Sequence, residues 1–563
     1  MSEPVRQLAA DYWDFYSEML PNSAHMRGDY RFIDRATDYT EEGTARYTAK
    51  LRDTALRARQ LQIEGVQGDD TVTLESLIFL AESKAALLEV SQLDFGFEPV
   101  FDTGFSPVFG PQAMLPVYAP RWSIETAEHA EAMIDKMHAI GTGFDQMAER
   151  LRSGLAQGRV SPQFAVDKTV PQLDAWLALP IAEDPLLNTK APAAFDDEQT
   201  AEWRLVMAAA VTESVRPALA RYRDVIRDVV GPVARSNDQP GVCWLPNGEV
   251  IYARALHHFT TLSMSAEEVH EIGRQQVAKL DDEYRSIAGA VLGTTELIEI
   301  YARLRDDPAL HHTTAEGVIA AAEAAFEKAR AAMPDWFSVL PRADCVVCDT
   351  KRGAVAYYFP AAIDGSRPGM FFMNTDDPVS WATYEVESTS FHEGIPGHHL
   401  QIAIAQELGD DVPAFRRHTY IGAYSEGWGL YTERLSDEMG IYGSELDRIG
   451  MLSADSMRAC RLVVDTGLHA MGWTRQQAID YIAENSPMAM HTIVSEVDRY
   501  IGDPGQACSY MVGRLEIQRM RREAEATMGE RFDIKGFHDA VLTVGEVPLE
   551  CLDRVVRDWA STA

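Results

Sequence analysis

Cysteine is scarce in this chain: six residues in 563, scattered at Cys243, Cys345, Cys348, Cys460, Cys508 and Cys551. So few, so widely spaced, do not make a disulfide framework, and reduced thiols are expected. Cys345-Val-Val-Cys348 is a lone C-x-x-C. Without a second pair it is weak evidence for zinc or redox chemistry, and its two valines read as a strand that packs the thiols. Positive charge is also short, with 51 Lys and Arg against 86 Asp and Glu, a net −35. Such a chain repels phosphate, and no basic cluster offsets this, so neither a nucleic-acid partner nor an anionic membrane surface is expected. No uninterrupted apolar run approaches the roughly 18 residues that cross a bilayer. The opening, MSEPVRQLAADYWDFYSEML, lacks the basic start and apolar stretch of a secretory signal, and no lipobox-like cysteine lies near it. A cytoplasmic location is therefore expected. Internal repeats and low-complexity linkers are missing too.

What is present is helix. Val269, Ile272, Val277 and Leu280 repeat at 3.6-residue spacing behind a Ser265/Glu268 capping box. Thr313 with Glu316, and Thr474 with Gln477, carry the same start signal. Long Ala/Glu/Leu/Arg-rich stretches at 44–62, 71–95, 124–156 and 197–230 extend the pattern. Two segments interrupt it. Residues 97–122 hold five prolines and read as irregular; 231–254 hold three more and an Asn247-Gly248 pair that predicts a hairpin turn. β-Branched and aromatic residues at 344–360, and MFFMNT at 370–375, predict paired strands. The expectation is a mainly α protein: one large helical body over 1–563 with a small sheet near 344–375, and possible lobes at 1–260 and 261–563.

The chemistry concentrates in TYEVESTSFHEGIPGHHLQIAIAQELG, residues 383–409. Zinc hydrolases place two histidines four residues apart on one helix, with a glutamate after the first. Both imidazoles then reach one ion, and the glutamate stands where it can take a proton from water. Here Pro396 occupies the fourth position after His392. In a straight helix His398 would point about 120° away, and His399 would lie about 10 Å further along. Pro396-Gly397 would not continue a straight helix, however, and a local bulge brings either His398 or His399 back toward His392. Glu426 in AYSEGWGLYTERL is a candidate third ligand. Its neighbours Gly422, Gly427 and Gly429 cost a helix about 1 kcal/mol each, which close approach of another helix would justify.

His-Glu-Gly-Ile-Pro-Gly-His-His-Leu-Gln and Ser-Glu-Gly-Trp-Gly-Leu-Tyr resemble the DUF885 family, bacterial proteins related to zincin metallopeptidases. Blocks at both ends and in the middle, such as WLPNGEVIYARALHHFTT and SEVDRYIGDPGQACSYMVG, extend the likeness over nearly the whole chain. The resemblance implies a helical fold similar to M32 carboxypeptidases and neurolysin-like peptidases. It implies one zinc ion on His392, His398 and Glu426, with Glu393 as general base. His399 then stands as an alternative ligand or neighbour. It also implies that Tyr510 stabilises the oxyanion, and a homodimer is a further hint.

Other residues carry two readings each. Asp465 and His469, four apart, form either a pair supporting the metal site or an ordinary helix pair. Tyr510 faces the metal or fills the core. Arg499 binds a substrate carboxylate or pairs with Glu496 and Asp498; Gln506 is a substrate-binding candidate in the same region. Asn374 contacts substrate backbone from an edge strand, or ends a strand. The expected function is zinc-dependent hydrolysis of short peptides, carboxypeptidase- or dipeptidase-like. The rivals are a metal-dependent hydrolase of another amide or ester, and a non-catalytic helical scaffold with a vestigial site.

Overall fold

The computed structural model describes residues 1–93, 100–101, 105–351, 354–362, 365 and 367–562. Helices dominate, and the buried apolar side chains from Val5 to Ala560 join in one connected core. The helices that position the site, numbered here for reference, are α1 (Ala266–Leu292), α2 (Ala315–Trp336), α3 (Glu385–Glu393), α4 (His398–Glu407), α5 (Gly422–Glu438), α6 (Glu445–His469), α7 (Met490–Gly502) and α8 (Ser509–Met528).

Local sequence explains their ends. The Ser265/Glu268 capping box opens α1, and Gly293 closes it in the left-handed conformation. Thr474 and Gln477 form the second box as expected, ahead of the helix Arg475–Asn485. At α2 the cap lies one residue later than the sequence suggests: Thr314 accepts from the Gly317 amide. Asn247-Gly248 makes no hairpin. Asn247 is left-handed and caps the helix Gly248–Thr260, so EVIYARAL is helical. The stretch 197–230 is helical but interrupted by two wider turns, Val211–Val215 and Val225–Val230. Within 97–122, residues 97–99 and 102–104 lie outside the described residues, while Pro111–Tyr118 forms a short helix.

The sheet has three strands: β1 (Cys345–Thr350), β2 (Ala356–Phe359) and β3 (Gly369–Asn374). Their order is β1-β3-β2. β1 runs parallel to β3, with Cys345 opposite Gly369 and Thr350 opposite Asn374; β2 is antiparallel, with Phe359 opposite Met370. Phe371 of β3 stacks on Phe326 of α2 at 5.9 Å, which sets the sheet against the helix beside α3. Burying a ring of this kind contributes about 1.5–3 kcal/mol. Cys345 is buried with a free thiol, and Cys348 is half-buried and also free, in keeping with packed thiols.

Candidate metal centre

Three side chains converge where the motif breaks. α3 ends at Glu393, four residues turn, and α4 begins at His398. The break does what a continuous helix cannot: the His392 and His398 rings meet edge to face, 4.8 Å between centroids. From α5, Glu426 turns one carboxylate oxygen, Oε2, to both rings, 3.3 Å from Nε2 of His392 and 3.3 Å from Nε2 of His398. All three are buried, and their donor atoms lie within 4.8 Å of one another.

The glycines around Glu426 have physical reasons. A Cβ on Gly427 would meet the backbone of Gly513 in α8 at 2.6 Å, so these two helices approach as closely as the glycine-rich sequence suggests. A Cβ on Gly429 would meet the His392 ring at 2.8 Å, so this glycine makes the space that the imidazole fills. Between them Trp428 is fully buried, and its indole N–H donates to the Pro396 carbonyl at 3.0 Å. That bond ties the two motifs together; leaving the carbonyl unpaired would cost about 1–3 kcal/mol.

Glu433 is the partner that motif reading missed. His392 donates from Nδ1 to Glu433 Oε1 at 2.8 Å, and Ser388 donates to the other oxygen at 2.8 Å. This fixes the proton on Nδ1 and leaves Nε2 of His392 facing His398 and Glu426. The signal was present in the chain. Glu426, Gly429 and Glu433 stand at i, i+3 and i+7, one stripe of α5, so the His392 ring lies over the glycine with a carboxylate at either nitrogen. Tyr420 was missed as well; its hydroxyl donates to Glu426 Oε1.

The electrostatics suit a cation. Burial opposes charge on His392, but hydrogen bonds to Glu426 and then Glu433 outweigh it and raise its pKa to about 9. Glu426 is fully buried, which would raise its pKa, yet the two imidazoles hold it well below the usual carboxylate range. A proton therefore sits among these groups at neutral pH, and a metal ion would displace it.

The spacing of the donor set fits a divalent metal. Donors about 2.0–2.1 Å from one ion at tetrahedral angles stand roughly 3.3–3.4 Å apart. The two nitrogen–oxygen separations of 3.3 Å match that spacing. Removing Glu433's charge tests the support behind His392. Glu433→Gln is expected to weaken zinc binding by about 10–100-fold, measured against a chromophoric chelator. An unchanged affinity would leave Glu433 with a packing role alone.

The remaining sequence candidates divide. Glu393 follows His392 at the end of α3, half-buried, and makes no hydrogen bond or ion pair among the described residues. Tyr510, early in α8, stacks on His392 at 6.4 Å and 18°. Burial, and next the Glu426 charge, push its pKa up to about 12. Its hydroxyl also makes no hydrogen bond among the described residues, unlike Tyr500, whose hydroxyl donates to Glu496 at 2.7 Å deep in the core.

The other six candidates are held by bonds of their own. His399 turns away from the ligands, bonded through Nδ1 to the Tyr358 hydroxyl at 3.0 Å and through Nε2 to the Ala343 carbonyl at 3.1 Å; it ties α4 to the sheet. Burial lowers its pKa to about 4. Asp465 and His469 neither pair with each other nor touch the three ligands. Asp465 accepts from Tyr252 at 2.6 Å and from the Gly505 amide at 3.0 Å, and burial raises its pKa to about 7. His469 is bonded to the Val242 amide and the Tyr500 carbonyl. Asp465 holds the turn before α8, and His469 ties the end of α7 to Val242. Asn374 is not on an edge: β3 is the central strand, and the Asn374 side chain accepts from the Asp376 amide at 3.1 Å. Arg499 and Gln506 bond each other at 2.7 Å, and Arg499 also pairs with Glu496.

Comparison with known proteins agrees with this architecture. The crystal structure of the "putative lipoprotein from Colwellia psychrerythraea" is similar over 100% of both chains, at 25% identity and a TM-score of 0.87. A second such protein, of unknown function, from Shewanella oneidensis is similar over 98% of this chain and 99% of its own, at 17% identity and a TM-score of 0.73; it shows the fold alone. Among curated proteins none matches. The family described as bacterial protein of unknown function (DUF885) matches residues 21–556, nearly the whole sequence, and the chain belongs to it.

Proposed function

We propose that this protein is a metal-dependent hydrolase of short peptides, with zinc held by His392, His398 and Glu426, and that it is akin in mechanism to the zincin and M32 carboxypeptidase enzymes. The observation that carries this reading is the convergence of two Nε2 atoms and one carboxylate oxygen at spacings that suit a single ion, with an unpaired glutamate next in sequence. A bound divalent metal would supply Lewis acidity, polarising the scissile carbonyl and making water more acidic. The chain's own groups do the rest. Glu393 takes a proton from the attacking water and delivers it to the leaving amine. Tyr510, its hydroxyl without a hydrogen bond among the described residues, donates to the carbonyl oxygen as negative charge builds there. Glu433 keeps His392 in the tautomer that presents Nε2.

The test is a peptide library read by mass spectrometry, run with zinc-loaded protein and after chelation. Cleavage that disappears with the metal and returns with it supports the reading. Cleavage of non-peptide amides or esters alone would favour the broader hydrolase, and a metal-free, inert protein would favour the scaffold. The same assay probes Tyr510. Tyr510→Phe is expected to lower kcat by about 10²–10³ with little change in KM, since an oxyanion donor acts mainly in the transition state. A fall in Tm with kcat intact would make Tyr510 a core residue.

A further inference from the structure

Beside the candidate metal centre lies a cluster of arginines for which hydrolysis of peptides in general has no use. The Tyr510 ring joins the two. On it rest His392, the Arg461 guanidinium at 4.4 Å and the Arg458 guanidinium at 5.8 Å. Arg458 and Arg461 sit about one turn apart on α6, and Arg499 approaches from α7. Arg461 is 5% exposed and Arg499 is 8% exposed.

These cations have too few anions. Glu496 serves two of them, accepting from Arg461 at 2.8 Å and from Arg499 at 3.0 Å. The other bonds are neutral: Arg461 to the Tyr500 hydroxyl, Arg499 to Gln506, Arg458 to the Ala454 carbonyl. Glu433 lies 3.8 Å from Arg458 but already accepts from His392 and Ser388. Two buried donors, Nε of Arg458 and Nη1 of Arg461, find no hydrogen-bond partner among the described residues. A guanidinium cannot shed its charge by losing a proton, so the surplus persists. The tyrosine faces offset part of it but leave those N–H groups unbonded.

We propose that Arg461, with Arg458 and Arg499 beside it, receives a free carboxylate of the substrate, so that the substrate class is short peptides or N-acyl amino acids cut at the bond next to their C-terminus. A carboxylate accepts well from guanidinium donors and would balance the charge. It lies one residue, roughly 4 Å, from the scissile carbonyl. Arg461 and His392 both lie against the Tyr510 ring, so the carboxylate receptor and the metal ligands border one side chain. In the reaction the C–N bond breaks, water gives its oxygen to the acyl carbon and a proton to the amine, and a shortened acid and a free amino acid leave. This assignment rests on the hydrolase reading above.

The experiment separates the two. N-acetyl-alanyl-phenylalanine is titrated calorimetrically, as free acid and as C-terminal amide, into zinc-loaded wild type, Arg461→Gln and Arg461→Lys; turnover of both ligands is followed in parallel. Wild type is expected to bind the acid at least about 30-fold more tightly than the amide, the scale for a buried charge pair. Arg461→Gln should bring that ratio near one, and Arg461→Lys should keep part of it. Equal binding of acid and amide by wild type overturns the proposal, as does an Arg461→Gln that weakens both alike, which would make the cluster a prop for Tyr510. The wild-type ratio needs no variant to fold. Selective binding of the acid without any cleavage would sink the hydrolase and keep the carboxylate receptor; equal cleavage of acid and amide would do the reverse.

Discussion

Glu393→Gln is expected to hold zinc at the wild-type stoichiometry and to lose turnover by about 10²–10⁴ or more, the scale for removing a general base. The substitution keeps the shape of the side chain, removes its charge and basicity, and turns one acceptor oxygen into an N–H donor. Nothing else in the molecule should change much, because Glu393 has no hydrogen bond or ion pair to lose among the described residues. It stands at the last residue of α3, one position after a ligand, so metal content is the control that makes the result readable. Elemental analysis and steady-state kinetics on one preparation decide it. Near-normal turnover with full zinc would remove Glu393 from the chemistry and leave the base to be found elsewhere.

The ligand set should show an all-or-none contrast. His392→Ala, His398→Ala and Glu426→Ala are each expected to abolish stoichiometric zinc binding, because three protein donors leave none to spare. His399→Ala should keep the metal. Its cost should appear in stability, since the ring's two hydrogen bonds to Tyr358 and Ala343 contribute about 1 kcal/mol each. Zinc content by mass spectrometry under non-denaturing conditions, with Tm on the same samples, reads both effects. Loss of zinc from His399→Ala with retention in His398→Ala would reverse the assignment of the pair.

Much of the helical frame was legible because it is local. Capping boxes at Ser265 and Thr474 act over three residues, and the 3.6-residue repeat of Val269, Val277 and Leu280 needs no partner to be seen. The same locality produced the misses. Asn247-Gly248 fits a hairpin by composition, but Asn247 in the left-handed region also caps a helix, and packing chose that. The strand ending at Asn374 was visible; that it is central was not, since sheet order depends on which segments meet and leaves no mark within six residues.

The sequence by itself determined the chemistry available here. It placed His392, Glu393 and His398 around a proline-glycine break, Glu426 in a glycine-rich helix, and enough helical pattern to exclude a sheet-based fold. From the residues alone His398 and His399 stood equal, because a broken helix can turn either ring toward His392. Only the tertiary structure separated them. The turn ahead of α4 faces His398 to Glu426, while Tyr358 and the Ala343 carbonyl, 41 and 56 residues away, hold His399 against the sheet. The surroundings of Glu433 and Arg461 were decided in the same way. Each is an ordinary charged residue in a helical sequence. Spacing puts Glu433 on the same stripe as Glu426, but that the stripe meets His392, and that Arg461 lies against Tyr510, comes from how helices pack.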